Sequence, residues 1–320
     1  MPVTAICDFS EGVHAATRPL AGGGLGTAPG ATSGEWTSPI YRTSGPFEWA
    51  VASWNGRGRS LEVLVRVAMP AGWSPWFSFG TWSADGDRRS CEGQAVTGVG
   101  RLSTDTLLLE RPARAWQMRI RLSDATVGRA WLCTALPEHR SPEGPDRAAW
   151  GVDLPVPRRS QMIYPNGGNV WCSPTALAMV MAYWGHEESI PEQVVPGVYD
   201  SAYDGHGNWP FNTAYAGARG FVARVDRFSC FAELERQVAA GFPVIAGVAY
   251  ERVWLENAPI GQTLGHILVV CGFTPEGDVI VNDPAAPDDA GVRLVYKREQ
   301  FRQAWLDRGG VVYLVEPENM

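Results

Sequence analysis

From Phe47 onward the apolar residues of this chain recur at every second position, and only past the stretch from Pro137 to Pro145 does a helical recurrence follow, a switch of period that calls for two differently built halves. Leu61, Val63, Val65, Val67 and Met69 alternate with Glu62 and Arg66, and Trp116, Met118, Ile120 and Leu122 alternate with Gln117, Arg119 and Arg121. Such runs are half-buried strands. Further short runs around Trp49, Phe77 and Trp131, broken by Gly, Pro, Asn and Asp, predict an all-β first domain over residues 1–140, an antiparallel sandwich or jelly roll without helices. Residues 10–46, with Ala21-Gly22-Gly23-Gly24-Leu25-Gly26 near their centre, show no stable period and read as a loose lead-in.

The segment from Pro137 to Pro145 is polar, charged and punctuated by proline, the texture of a linker. Beyond it, Leu177, Val180, Met181 and Trp184 share one face of a helix predicted from Pro174 to Trp184. A second helix, Phe231 to Ala240, stops at Gly241 and leads into the apolar run Pro243 to Val248, a buried strand. A loop, a hairpin, a short helix and a closing strand from Val311 to Val315 follow. The second domain, residues 147–320, is therefore expected to be α+β. A length of 320 residues exceeds what one core usually serves and agrees with two domains.

A chain that is 45% hydrophobic and 19% charged belongs to the folded, soluble class. Its net charge of -7 and the lack of any Lys/Arg run argue against a nucleic-acid partner. The six cysteines are scattered, with no zinc-like Cys/His spacing, so neither a metal nor a cofactor is called for. With one thiol kept for chemistry the remaining number is odd, which fits a reducing, cytoplasmic compartment better than a disulfide framework. No signal peptide is visible at Met1-Pro2-Val3-Thr4, and no apolar run is long enough for membrane insertion.

Cys172 directly precedes Ser173-Pro174-Thr175-Ala176-Leu177, in which Ser173 suits a helix N-cap and Pro174 the first helical position. The thiol then falls at a helix N-terminus, where free backbone N–H groups and the positive end of the dipole favour thiolate. A cysteine is otherwise most often a small buried apolar residue. His266 stands at the entry of the apolar run Ile267 to Gly272, and the next strand, Val279 to Pro284, is joined to it by a hairpin turn over Thr274 to Asp278. Asp283 thus falls opposite Leu268 or its neighbour, one diagonal step from His266, a step across which an imidazole and a carboxylate can meet. The carboxylate would fix the tautomer and orientation of the ring. As part of an Asp-Pro pair, Asp283 also suits a plain turn.

With these residues in place, the stretch 151–317 resembles the papain-fold cysteine peptidases of family thirty-nine, relatives of the enzymes that process bacteriocin leaders. The resemblance rests on Leu154-Pro155-Val156-Pro157 followed by Gln161, on Trp171-Cys172-Ser173-Pro174-Thr175, on Gly265-His266 and on Asn282-Asp283-Pro284. It implies a papain-like second domain with Cys172 as nucleophile, His266 as base and Asp283 as the group that orients it. It also assigns the oxyanion hole to the Gln161 amide and the Cys172 backbone N–H. Leader-processing members have Gly directly after the nucleophile and a fused transporter, whereas this chain has Ser173 and no transporter, so it is more similar to the stand-alone branch. A segment like Gly205 to Thr213 also occurs in that branch and is expected to border the cleft, with Trp171, Asn208 and Trp209 as substrate-binding residues. Asn212 reads equally well as a helix N-cap and Trp209 as packing.

The function expected on this reading is hydrolysis of an amide bond in a peptide or protein by thiolate attack through an acyl-enzyme. An acyl transferase or transpeptidase would use the same residues with a different second nucleophile. A reading from another class is a non-catalytic peptide- or glycan-binding protein. Nine of the fourteen tryptophans (Trp36, Trp49, Trp54, Trp73, Trp76, Trp82, Trp116, Trp131, Trp150) lie within residues 1–150. Exposed tryptophans can stack on sugar rings or fill a peptide groove, which makes a glycan or cell-wall ligand one candidate partner of the first domain, but sandwich cores favour tryptophan too.

Overall fold

The computed structural model describes residues 3–136, 141, 144–251 and 254–318, so most of the expected linker from Pro137 to Pro145 lies outside the described residues. The chain forms two compact units, Met1–Pro137 with Gly197–Val225, and Glu138–Pro196 with Asp226–Met320.

In the first unit the two alternating runs become partners. They lie in the antiparallel strands Tyr41–Met69 and Thr106–Ala135, where Leu61, Val63, Val65 and Val67 stand opposite Leu122, Ile120, Met118 and Trp116. Opposed residues share a face of the sheet, and all eight are at most 2% exposed, so period and register agree on one apolar surface. Shifts of register, as between Val127 and Arg129, let these unusually long strands bend.

The glycine-rich residues 10–46 are not a loose lead-in. They form the short strands Val13–Ala15, Thr17–Pro19, Leu25–Thr27 and Ser33–Thr37. Leu25 and Trp36 are fully buried, and the Trp36 indole N–H donates to the Glu11 carbonyl at 2.9 Å. Gly22, Gly23 and Gly24 turn the chain between two of these strands with φ of 90°, 100° and 93°, a region that glycine enters without strain. Three of these strands have only three residues, too few for a period to be read.

Residues 197–225, expected in the second domain, also belong to the first unit, which is therefore not free of helices. The helix Trp209–Ala218 sends Phe211 and Ala214 into the apolar core, with the Phe211 ring 6.2 Å from that of Trp54. Asn55 acts as a substitute strand: its amide donates to the Ala223 carbonyl at 2.7 Å and accepts from the Ala223 N–H at 3.0 Å. The backbone N–H groups of Ser90 and Trp209 donate to Asp200 and Asp105 at 2.9 and 2.8 Å. Trp36, Trp49, Trp54, Trp82, Trp116 and Trp131 are buried, so most of this unit's tryptophan is core. Trp73 is exposed, but the Arg66 guanidinium lies 4.7 Å from its ring centroid and 4.7 Å from that of Trp76.

The second unit contains antiparallel strands in the order Val311–Pro317, Val244–Tyr250, Thr263–Phe273, Val279–Asn282 and Arg293–Tyr296. The helices Cys172–Tyr183 and Phe231–Ala239 belong to the same unit. The predicted turn is present, with Thr274 N–H donating to the Asp278 carbonyl at 2.9 Å. Residues 151–154 run beside the end of the strand Thr263–Phe273, exchanging backbone bonds of 2.9 Å between Gly151 and Phe273, Phe273 and Val152, and Leu154 and Cys271. Only a glycine allows this approach at position 272, because a Cβ there would lie 2.1 Å from the Val152 carbonyl oxygen. Among the described residues no helix is long and apolar enough to cross a membrane.

The close approach makes a specific prediction. Gly272→Ala should lower stability by about 1–3 kcal/mol, the ordinary cost of overpacking, whereas Gly261→Ala, with nothing within 4 Å of the added Cβ, should leave the urea midpoint nearly unchanged. Equal midpoints for the two variants would show that the pairing of residues 151–154 yields freely.

Candidate active site

The helix Cys172–Tyr183 begins at Cys172 itself, one residue earlier than the expected cap at Ser173. Ser173 is buried in the first turn, its hydroxyl 3.2 Å from that of Tyr313, and the cap position falls to Trp171, whose side chain makes no capping bond. Residues Ser173–Met181 are all buried, which is why the helix is apolar on every side rather than on one stripe. The shift leaves the thiol on the first helical residue, among backbone N–H groups that the helix does not use.

His266 lies in the strand Thr263–Phe273 opposite Val248 and is 3% exposed. Val269 pairs with Asn282, so the next residue, Asp283, comes diagonal to His266 as the register argument requires. Nε2 of His266 and Oδ1 of Asp283 are 2.8 Å apart, which leaves Nδ1 for the hydrogen bond with the Cys172 sulfur. Asp283 is almost completely buried, and the Ala285 N–H at 3.0 Å and the Tyr296 hydroxyl at 2.6 Å also donate to it. Tyr296 gave no signal in the sequence that separates it from a core residue.

Gln161 is buried, and its backbone N–H donates to the Pro284 carbonyl at 2.8 Å, so the corner that carries Asp283 also fixes Gln161. The approach to Gln161 is held by Asn282, whose amide donates to the Val156 and Pro157 carbonyls at 3.3 and 3.0 Å. The Arg293 guanidinium donates to the Leu154 and Val156 carbonyls, both at 3.2 Å. The Leu154 to Pro157 motif is thus a rail leading to Gln161. Oε1 of Gln161 has no hydrogen-bond partner. Trp171 is buried beside Tyr164, with ring centroids 5.9 Å apart.

Asn208 and Trp209 lie in the first unit. Asn208 caps the helix Trp209–Ala218, accepting from the Phe211 N–H at 3.2 Å and donating to Asp200 at 2.9 Å. The cap is therefore Asn208 and not Asn212, which lies inside the helix. Trp209 is half-buried. The structure brings Gln161, Trp171, Cys172, His266 and Asp283 together in one unit, with Asn208 and Trp209 in the other.

The electrostatics of the cluster are a contest between burial and partnership. Burial alone would push the Cys172 thiol up. The hydrogen bond and charge of His266, with the backbone N–H groups of Ile267 and Ser173, outweigh it and hold the thiol below its ordinary value. Burial would likewise push His266 down, but the charge and hydrogen bond of Asp283, joined by Cys172, raise it well above the usual imidazole range. Burial opposes ionisation of Asp283 as well, and His266, Tyr296 and the Ala285 N–H together hold its carboxyl below the usual value. All three shifts favour a thiolate beside an imidazolium. Among the described residues no group of three or more His, Cys, Asp or Glu is placed to hold a metal ion.

A family model described as Peptidase_C39 like family matches residues 153–313, and one described as the Peptidase C39 N-terminal domain matches residues 13–131. The chain belongs to the Peptidase C39-like family. Among solved structures it is similar to a candidate C39-like peptidase from Bacillus anthracis, at 18% identity and a TM-score of 0.40, over 53% of this chain and 98% of that one. It is also similar to the interpain A cysteine protease of Prevotella intermedia, at 13% identity and a TM-score of 0.29, over 54% of this chain and 98% of that one. A third similarity is to a GH26-CBM35 β-(1,4)-mannanase of Podospora anserina, at 10% identity and a TM-score of 0.27, over 55% of this chain and 35% of that one. No curated protein matches the chain.

The lowered thiol and raised imidazole define a pH window in which both charges coexist, bounded below by the Cys172 pKa and above by that of His266. Alkylation of Cys172 by iodoacetamide should therefore persist below the pH at which a free thiol of pKa about 8.5 stops reacting. In His266→Ala burial is no longer opposed by the imidazolium, and the half-point should move up to or beyond that value. A wild-type profile that already follows a free thiol would contradict the ion pair.

Proposed function

We propose that this chain is a cysteine peptidase that cleaves amide bonds through an acyl-enzyme on Cys172. The observation that supports this most directly is the hydrogen-bonded line from the Cys172 sulfur through His266 to Asp283, begun at a helix N-terminus and buried at its far end. The thiolate attacks the carbonyl carbon, a C–S bond forms, and the π pair moves to oxygen. The backbone N–H of Cys172, not needed by the helix, and the Gln161 amide receive that oxyanion. When the oxyanion collapses, the C–N bond breaks and the imidazolium of His266 gives its proton to the leaving amine. Water then attacks the thioester with His266 as base, which returns the acid product, the thiolate and the imidazolium. Asp283 stays ionised throughout, holding the ring and its charge.

Cys172→Ala should abolish cleavage of a peptide library. Gln161→Ala should lower kcat by about 100-fold or more while leaving alkylation of Cys172 nearly at the wild-type rate, because a small alkylator develops no oxyanion. Cleavage that survives Cys172→Ala would overturn the proposal, and an equal loss of turnover and alkylation in Gln161→Ala would make Gln161 a structural residue.

A further inference from the structure

Large apolar side chains that the fold leaves in water are close in sequence to the proposed reacting groups. Among the described residues of the second unit the exposed ones are Met162, Ile163, Val170, Leu264 and Val295. The first four lie within two residues of Gln161, Cys172 or His266. Isolated exposed apolar residues need no explanation, but four beside the proposed site residues do.

The local backbone explains why the fold does not bury them. The loop from Gln161 to Trp171 is closed on itself, with Tyr164 N–H donating to the Gln161 carbonyl at 3.3 Å, Gly168 N–H to Tyr164 at 3.2 Å and Trp171 N–H to Gly168 at 3.1 Å. A Cβ on Gly168 would sit 2.0 Å from the Gln161 carbonyl oxygen, so the inside of the loop is filled by backbone. Gln161 and Trp171 turn inward, and Met162, Ile163 and Val170 are left outside. On the other side, the pairing of Val248 with His266 and of Tyr250 with Thr263 contains a register shift, one extra residue in the histidine strand. Such a bulge re-aims side chains, and Leu264 stands 102% exposed.

We infer that these residues are two apolar lips for the substrate, Met162, Ile163 and Val170 beside the nucleophile and Leu264 beside the base, and that the substrate class is peptide segments with aliphatic side chains flanking the cleaved bond. The inference rests on the peptidase reading. A bound aliphatic side chain removes its own apolar surface and that of a lip from water at once, which is favourable roughly in proportion to the area covered. A polar residue of similar size would lose its hydration there with nothing to replace it. Leu264 makes this contact at no cost to folding, since full exposure means that no packing depends on it.

The test uses the full chain and pairs of fluorogenic peptides that differ only in Leu against Gln at the residues flanking the cleaved bond. Wild type should show a kcat/KM about 10-fold or more higher for the Leu peptides, the discrimination that a few buried methylenes provide. Leu264→Ser should erode that preference on one side of the bond and the double variant Met162→Ser/Ile163→Ser on the other, while Leu264→Met retains it. Alkylation of Cys172 by iodoacetamide should remain at the wild-type rate in all of them, which separates lost recognition from a damaged site. Cleavage without preference in wild type, or an unaltered preference in both Ser variants, would overturn the inference and leave the peptidase reading intact. Normal alkylation with no cleavage of any peptide would instead remove the peptidase reading and this inference with it.

Discussion

The arrangement of the second unit depends on the burial of one carboxylate. Asp283 is 1% exposed, and an ionised carboxylate at such a place costs several kcal/mol unless charge and hydrogen bonds replace its water. It has three donors, His266, Tyr296 and the Ala285 N–H, each from a different part of the local fold. The first requires the strand Thr263–Phe273 on one side of the strand that ends before Asp283. The second requires the strand Arg293–Tyr296 on the other, which is the order observed. The third requires the chain to turn sharply at Pro284, and the carbonyl of that proline is the acceptor that positions Gln161. One corner therefore fixes both the ring of the histidine and the place of the glutamine.

The same low polarity has two opposed effects on this line of groups. Burial opposes ionisation of Cys172, His266 and Asp283 alike. Each neighbour's charge and hydrogen bond favours the ionised form instead, because the attraction between neighbours is also strengthened where water is excluded. The state is thus cooperative: removing His266 takes away the partner of both the thiolate and the carboxylate. The helix N-terminus adds a contribution that does not titrate, the backbone N–H of Ser173, and the neighbouring strand adds that of Ile267.

Much of this was legible in the sequence, for reasons that can be named. The period of two in Leu61–Met69 and Trp116–Leu122 survives because both runs share a buried face, and their side chains stand opposite each other. The meeting of His266 and Asp283 was legible because a hairpin turn fixes the register locally, over about one turn and two short strands. Tyr296 was not legible, since its role exists only once a third strand has docked. Ser173 is not the cap, although a serine before a proline suits one, because the preceding turn Gly168–Val170 already directs the chain into the helix. The strands within residues 10–46 escaped because their order comes from Trp36 and Leu25 packing into a distant core rather than from local propensity.

The segment 197–225 shows a deeper limit of reading a chain as consecutive domains. It lies within the part matched to the Peptidase C39-like family, residues 153–313, yet Phe211 and Ala214 complete the core formed by residues from 1–137. Nothing in its own pattern announces this, because a buried phenylalanine looks the same whichever core receives it. The commitment is made instead by partners far away in sequence: Asn55 offers one amide where a strand would offer a peptide group, and Asp200 and Asp105 satisfy backbone N–H groups across the same unit. Each of these is a polar group that would be costly to bury without its partner. Neither unit is a continuous piece of sequence, since the chain passes from the first to the second, back, and out again. A fragment cut at the expected boundary would carry Phe211 and Ala214 without the core they fill, so the order of the residues between Pro196 and Asp226 depends on residues that precede Pro137.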